Sequence, residues 1–444
     1  MARMQTTALV PEKALLVGID RPGLDWPVEE SLAELARLVE TDGAEVVSQE
    51  IQRLAKPVPR TYIGSGKAAQ IADKVHDLGI DVVVFDDELS PSQQANLERI
   101  MGEGTKVIDR TALILDIFGR HATTKEGRLQ VQLAQNQYLL PRLRGMWGHL
   151  VREQTRGGIG SRFGQGESQL EVDRRLVRNR IASLKRDLEQ LERRREVQSK
   201  ARWDSGVYRV ALVGYTNAGK STLLNALTGS NAYVQDELFA TLDPTTRTLE
   251  LEEGRRITLT DTVGFIQKLP TMLIEAFKST LAEVMAADLI LLVVDASDPN
   301  ASKEILAVRE VLKEIGAQDI ETLVVYNKCD LLSEVELAEM LVVDKDAEFI
   351  SALEQRGLRG LLYRVATIAS AGDVTMTVCI PYEKGMLVRM LHERCQMLRE
   401  QYVQQGLLAT VKADEHMAST LEPYRVEAQE ALGSDSEGSG EQQE

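Results

Sequence analysis

An α/β architecture with a phosphate-binding turn near its centre is what this sequence predicts, on three observations. Apolar, strand-like runs alternate with helix-like segments between Val207 and about residue 370. One of those runs leads directly into GYTNAGKS, Gly214 to Ser221, which fits the spacing G-x-x-x-x-G-K-[ST]. Ahead of it, Val177, Ile181, Leu184, Leu188 and Leu191 recur at spacings of 4, 3, 4 and 3, the rhythm of a coiled-coil helix. The expected order is a small α/β domain over residues 8–119, a helical hairpin over 120–203, a nucleotide-type α/β domain over 204–370, a small α/β domain over 371–427 and a disordered acidic tail over 428–444.

Composition permits this division. A chain of 444 residues is too long for one core and suggests roughly three folded parts. Hydrophobic content of 43% with 27% charged residues is that of a water-soluble globular protein. No apolar run reaches the ~18 residues of a membrane helix, and the opening MARMQTTALVPEK lacks an apolar signal core, so neither a membrane span nor export is expected. Cys329, Cys379 and Cys395 are scattered without disulfide or metal spacing, which suits a reducing compartment, the cytoplasm. The net charge of −16 is unevenly spread: residues 120–202 hold 19 Lys and Arg against 9 Asp and Glu. An acidic average conceals a basic arm.

Residues 8–119 alternate strand-like runs (Ala14 to Ile19, Asp81 to Asp86) with amphipathic stretches such as Ser31 to Leu38. Within them Gly64-Ser65-Gly66-Lys67 resembles part of a phosphate loop but lacks the full spacing and the hydroxyl residue after the lysine. A glycine turn into a helix over Ala68 to Val75 is the favoured reading.

The basic arm should fold back on itself as an αα-hairpin, with Leu129, Leu133, Leu139 and Leu140 on one side and the heptad-spaced residues on the other. Between them RGMWGHLVREQTRGGIGSRFGQG, Arg144 to Gly166, reads as a long loop with seven glycines and four arginines. Loops above about 15 residues are usually functional or disordered. Arg144, Arg152, Arg156 and Arg162 could take phosphates, and Trp147 and Phe163 could stack on splayed bases, so RNA is the expected partner. A solvated charged helix pair with a slack linker is the competing account.

The central domain carries four ordered elements. Val207 to Val213 reads as a strand and Ser221 to Leu227 as a helix, so Gly214, Tyr215, Thr216, Asn217, Ala218 and Gly219 form the turn whose amides face phosphates, with Lys220 reaching the β- and γ-phosphates and the Ser221 hydroxyl ligating Mg²⁺. DTVG follows: Asp261 ends a second strand and would hold the ion through water, Thr262 and Val263 line the turn, and the Gly264 amide would sense the γ-phosphate. In NKCD, Asn327 would tie base loop to phosphate loop, the Lys328 stem would lie along the base beside Cys329, and the Asp330 carboxylate would accept guanine N1–H and its exocyclic amine. Ser351, Ala352 and Leu353 would bring an amide to guanine O6. Adenine offers Asp330 no matching donor pair, so ATP is disfavoured. The ordered set implies a GTPase binding GTP and GDP.

Catalysis is less complete. Phe265 stands where many GTPases place a water-orienting glutamine, so no side-chain base is assigned and turnover without a partner should be slow. Asn217 has two open readings: a residue tolerant of a tight turn, or, by similarity to the phosphate loops of MnmE and Era GTPases, a ligand of K⁺. Thr241, Thr245 and Thr246 all qualify chemically as the switch hydroxyl.

At FATLD (Phe239, Ala240, Thr241, Leu242, Asp243) the chain resembles the HflX family, as it does at YIGSGK (Tyr62 to Lys67), RGGIG (Arg156 to Gly160) and GESQLEVDRR (Gly166 to Arg175). With the GTPase motifs these cover most of residues 8 to 425. The resemblance implies that Thr241 is the second Mg²⁺ hydroxyl and that residues 239–243 line the nucleotide. It also implies a cytoplasmic GTPase, monomeric when free, that binds rRNA of the large ribosomal (50S) subunit and splits or rescues stalled ribosomes. Some members are thought to bind ATP through the first domain. One departure is visible: the family commonly reads Arg-Gly-Pro-Gly-Glu where this chain has Arg162-Phe163-Gly164-Gln165-Gly166-Glu167. The alternative function is a signalling switch whose arm binds a protein.

After residue 370, VTMTVCI and LLATVKA read as strands and Lys384 to Gln404 as a helix. Met386, Met390 and Met397 are expected to fill core.

Overall fold

The computed structural model describes residues 11–24, 26–154, 163–203, 207–229, 238–239, 242–252, 255–268, 270, 273 and 278–426. They form two compact units, the first holding residues 1–193 with segments 235–243 and 263–280, the second holding the remainder.

In the first unit β1 (Lys13–Asp20), β2 (Glu45–Arg53), β3 (Val82–Phe85) and β4 (Lys106–Asp109) make a parallel sheet of order β2-β1-β3-β4. KALLVGID and VVVF are buried along almost their whole length because the central strands have both faces covered, whereas the edge strand β2 alternates. Helices α1 (Val28–Thr41), α2 (Ser65–Leu78), α3 (Pro91–Met101) and α4 (Arg110–His121) supply the covering. Leu15, Val17, Val83 and Phe85 pack with Ile63, Ile71, Val75 and Leu97 in one apolar cluster. The glycine turn at Gly64 does enter α2, and the Lys67 ammonium pairs with Glu50 at 2.5 Å.

Two long helices follow, α5 (Lys125–Gln154) and α6 (Phe163–Trp203). Asp109 joins α5 to the sheet: its fully buried carboxylate caps α4 through the Ala112 amide and accepts from the Leu89 amide, the Tyr138 hydroxyl and Arg142. The heptad reading holds, since Leu184 is buried and Val177, Ile181, Leu188 and Leu191 are half-buried. Arg180 donates across the pair to Gln132 at 2.9 Å. The irregular loop expected over 144–166 is corrected at its two ends, where α5 continues to Gln154 and α6 starts at Phe163, while residues 155–162 lie outside the described residues. A glycine costs only about 1 kcal/mol in a helix, so those at 145 and 148 do not end α5.

The second unit has a six-stranded sheet of order β10-β9-β8-β5-β7-β6, from β5 (Tyr208–Gly214), β6 (Thr245–Glu250), β7 (Arg256–Asp261), β8 (Leu289–Asp295), β9 (Thr322–Asn327) and β10 (Glu348–Phe349). All neighbours are parallel except β6, which runs antiparallel on β7. The chain between β6 and β7 is a short hairpin, which only antiparallel strands allow. Helices α7 (Lys220–Thr228), α8 (Lys278–Met285), α9 (Ala301–Glu314), α10 (Glu334–Val343) and α11 (Leu358–Ala369) complete the alternation.

A three-stranded antiparallel sheet of β11 (Val374–Ile380), β12 (Gln396–Val403) and β13 (Gly406–Ala413), with α12 (Gly385–Arg394) and α13 (Glu415–Leu421), ends the described chain. Arg255 donates to Ala369 O and pairs with Asp373, linking this sheet to the larger one. The expected helix to Gln404 is wrong past Arg394, because QMLREQYV pairs with β13 instead. Met390 and Met397 pack against the small core, but Met386 is 82% exposed and fills nothing. Among the described residues no helix is long and apolar enough to cross a membrane.

Candidate nucleotide site

Strand order reverses about β5, whose neighbours are β7 and β8, and a ligand of such a sheet sits beyond the C-terminal strand ends at that point. There, within the second unit, the phosphate turn, Asp261, Asn327 and Ala352 come together, whereas residues 239–243 and 263–265 do not belong to that unit. Gly214 leaves β5 at φ 156 with its Cα against Val293, so a Cβ would lie 2.1 Å from the Val293 carbonyl. Gly219 opens α7 at φ 91, and a Cβ there would meet the Asn327 amide at 2.2 Å. Both glycines are therefore dictated by close approach and by backbone conformation. Tyr215, Thr216 and Ala218 are buried between them. Asn217 is exposed at φ 60, the left-handed geometry its turn reading requires.

Lys220 lies fully enclosed, its ammonium donating to the carbonyls of Gly214 (3.1 Å) and Tyr215 (2.6 Å). Burial pushes its pKa from 10.5 down to about 8, against the upward pull of Asp261 and Glu304. The Ser221 hydroxyl donates to Asp261 Oδ2 at 2.6 Å, and Thr262 Oγ1 donates to Leu212 O, fixing the strand exit beside it. A hydroxyl and a carboxylate this close are hard oxygen donors of the kind Mg²⁺ takes, so the residues present fit that ion.

Asn327 performs the bridging that its place in NKCD predicts. Its Nδ2 donates to Ala218 O and its Oδ1 accepts from the Ala352 amide, both at 2.9 Å. One side chain thereby couples the phosphate turn, β9 and the Ser351–Ala352 turn. Cys329 N donates to Ile350 O, and burial raises its thiol pKa. Asp330 Oδ1 is buried and has no hydrogen-bond partner among the described residues. Leu353 is 77% exposed. Sequence reading missed Asp295 at the end of β8, whose Oδ2 lies 2.7 Å from the Lys328 ammonium. No motif marks it, since only the strand alignment Asp295 to Asn327 brings the two together.

In the first unit, Phe239 packs edge-on against Phe118 with ring centroids 4.5 Å apart, and Leu242 is buried. Asp243 accepts from the amides and hydroxyls of Thr123 and Thr124, which outweigh burial and hold its carboxyl below the usual range. Ala240 and Thr241 lie outside the described residues. Val263, Gly264 and Phe265 are buried, Arg110 donates to Gln267 O, and Lys268 pairs with Asp86 and Asp87. Arg144, Trp147 and Arg152 fall on α5 and Phe163 opens α6, with side chains outside the described set; Arg156 and Arg162 lie outside it altogether.

Three family descriptions match the chain: "GTP-binding GTPase N-terminal" over residues 29–119, "GTP-binding GTPase Middle Region" over 121–202 and "50S ribosome-binding GTPase" over 209–328. A protein described as GTPase HflX from Caldanaerobacter subterraneus is 46% identical over 411 residues, covering 93% of this chain and 92% of the relative. GTPase HflX from Escherichia coli is 45% identical over 365 residues, covering 81% and 83%. Among solved structures, a GTP-binding protein from Sulfolobus solfataricus in complex with GDP is 25% identical, covers 81% of this chain and 99% of its own, and has a TM-score of 0.43.

Proposed function

The chain belongs to the HflX family of GTPases, and from that premise we propose that its GTP hydrolysis serves the large ribosomal subunit, with splitting or rescue of stalled ribosomes as the outcome. The observation that carries the ribosomal part is the match of residues 209–328 to the description "50S ribosome-binding GTPase".

On this reading the amides of Gly214 to Gly219 cradle the phosphates, and the Lys220 ammonium exchanges two backbone carbonyls for phosphate oxygens. Ser221, Thr241 and, through water, Asp261 would hold Mg²⁺, which when bound neutralises charge on the β- and γ-phosphate oxygens. The Gly264 amide reads the γ-phosphate, while Asp330, Lys328 and Ala352 read the base. Phe265 cannot orient water, so the missing catalytic help comes from the ribosome, with Asn217 as a K⁺ ligand a second contribution. The basic hairpin meets rRNA through Arg144, Arg152, Arg156 and Arg162, with Trp147 and Phe163 stacking. The proposed location is the cytoplasm.

The test is sedimentation with purified large subunits in GTP-analogue and GDP forms, together with turnover assays. Co-sedimentation favouring the GTP-analogue form, and turnover that rises with subunits, are expected. Exchanging K⁺ for Na⁺ should lower turnover if Asn217 holds the cation. Absence of both binding and activation would instead promote the signalling-switch reading, in which the hairpin binds a protein.

A further inference from the structure

We propose that Asp295 is a specificity-determining positioning residue: it holds the Lys328 ammonium so that the Asp330 carboxylate is left open for the guanine edge. This rests on the reading of Asp330 as the base reader and adds the device that keeps it available.

Lys328 and Asp330 are two residues apart on one turn, and a lysine stem is long and flexible enough to swing onto a neighbouring carboxylate. An ammonium seated on Asp330 would occupy the acceptor that guanine N1–H and its amine require. The structure seats the ammonium elsewhere. Lys328 Nζ lies 2.7 Å from Asp295 Oδ2, and the side chains are only 27% and 19% exposed. Asp295 is itself fixed, because its Oδ1 accepts from the Ser297 amide at 2.9 Å and hydroxyl at 2.7 Å. The Ala296 amide donates to Asn327 O at 2.8 Å, stitching the exits of β8 and β9 together. Lys328 stands at φ 62, a left-handed backbone that the surrounding turn must maintain. Asp295 takes the lysine, and Asp330 Oδ1 stays buried with no partner among the described residues.

The experiment measures GDP and IDP affinities on the full chain; inosine keeps N1–H but lacks the amine, so the GDP:IDP ratio reads how well Asp330 engages guanine. Asp295→Asn keeps the acceptor for Ser297 and removes the charge. GDP affinity should fall about tenfold, IDP affinity less, and the ratio should narrow, while kcat at saturating GTP is unchanged. Ser297→Ala should move the ratio the same way by a smaller factor, and it carries the test if Asp295→Asn does not fold. In a Lys328→Met background Asp295→Asn should change nothing further, because the competing ammonium is gone. An unchanged ratio in Asp295→Asn, or an equal loss in the Lys328→Met background, overturns the proposal. Asp330→Asn measured alongside separates the two layers: if it leaves the ratio intact, the base-site reading fails and this inference with it; if it collapses the ratio while Asp295→Asn does not, the inference alone fails.

Discussion

Asp330 and Lys220 are the two residues at which the proposed nucleotide site is most directly tested. Asp330 Oδ1 is buried with no donor among the described residues, and on the proposed reading guanine supplies one. Asp330→Asn should therefore weaken GTP binding by about 1.5–3 kcal/mol, the size of a hydrogen bond to a charged group, and shift preference towards xanthosine nucleotides, whose edge suits an amide. Full GTP affinity in a competition assay would refute the assignment. Lys220 has a pKa pushed down to about 8 by burial, so empty protein loses its proton there well before an unfolded chain does at about 10.5. Between those values the unfolded state binds more protons, and the empty protein gains stability as pH rises. Phosphate binding needs the ammonium, so above about 8 it must take up a proton. Calorimetry in buffers of different ionisation enthalpy should find uptake approaching one proton per GDP at about pH 9 and little at about pH 7. Equal uptake at both would mean that Lys220 does not meet the phosphates.

At the scale of elements, the turn between β5 and α7 combines close approach with hydrogen bonds from Lys220 and Asn327 to its carbonyls. A Cβ at Gly219 would collide with the Asn327 amide at 2.2 Å while the backbone stands at φ 91. Gly219→Ala should displace Asn327 from Ala218 O and the Ala352 amide, and so disturb phosphate and base loops together. The expected outcome is loss of GDP binding by at least about tenfold with far-UV circular dichroism unchanged; retained binding would show that the turn has slack the packing does not suggest. The hairpin depends on a different principle, a seam whose centre is the fully buried Leu184. Leu184→Ala should cost about 2–5 kcal/mol and appear as faster amide exchange over residues 177–191. Protection equal to the parent chain would mean the seam is not what orders α6.

For the whole molecule, charge is the organising quantity. The basic arm of residues 120–202 stands within a chain of net charge −16, so any polyanion should meet the arm and be repelled elsewhere. Changing Arg144, Arg152, Arg156 and Arg162 together to Ala should flatten the salt dependence of large-subunit binding, each lost phosphate contact lowering the log–log slope by about 0.7–0.9. Trp147→Ala with Phe163→Ala should cost about 1–3 kcal/mol per lost stack with little change of slope. Sedimentation across a salt series distinguishes these outcomes, and unchanged affinity and slope in both variants would leave the hairpin a solvated spacer.

What the sequence determined by itself was local. A phosphate turn needs its glycines and lysine at fixed spacing, a coiled-coil helix needs its 4-and-3 rhythm, and a base-reading turn needs its Asn and Asp adjacent, so Gly214 to Ser221, the Leu184 seam and Asn327 to Asp330 were all readable as strings. Glycine-rich sequence misled over 144–154, because scattered glycines weaken a helix without forbidding it. QMLREQYV misled towards helix because its place beside β13 is a long-range pairing that local propensity does not encode. Only the tertiary structure brought Asp295 to Lys328, since strand order within a sheet, not distance along the chain, decides which strand ends become neighbours.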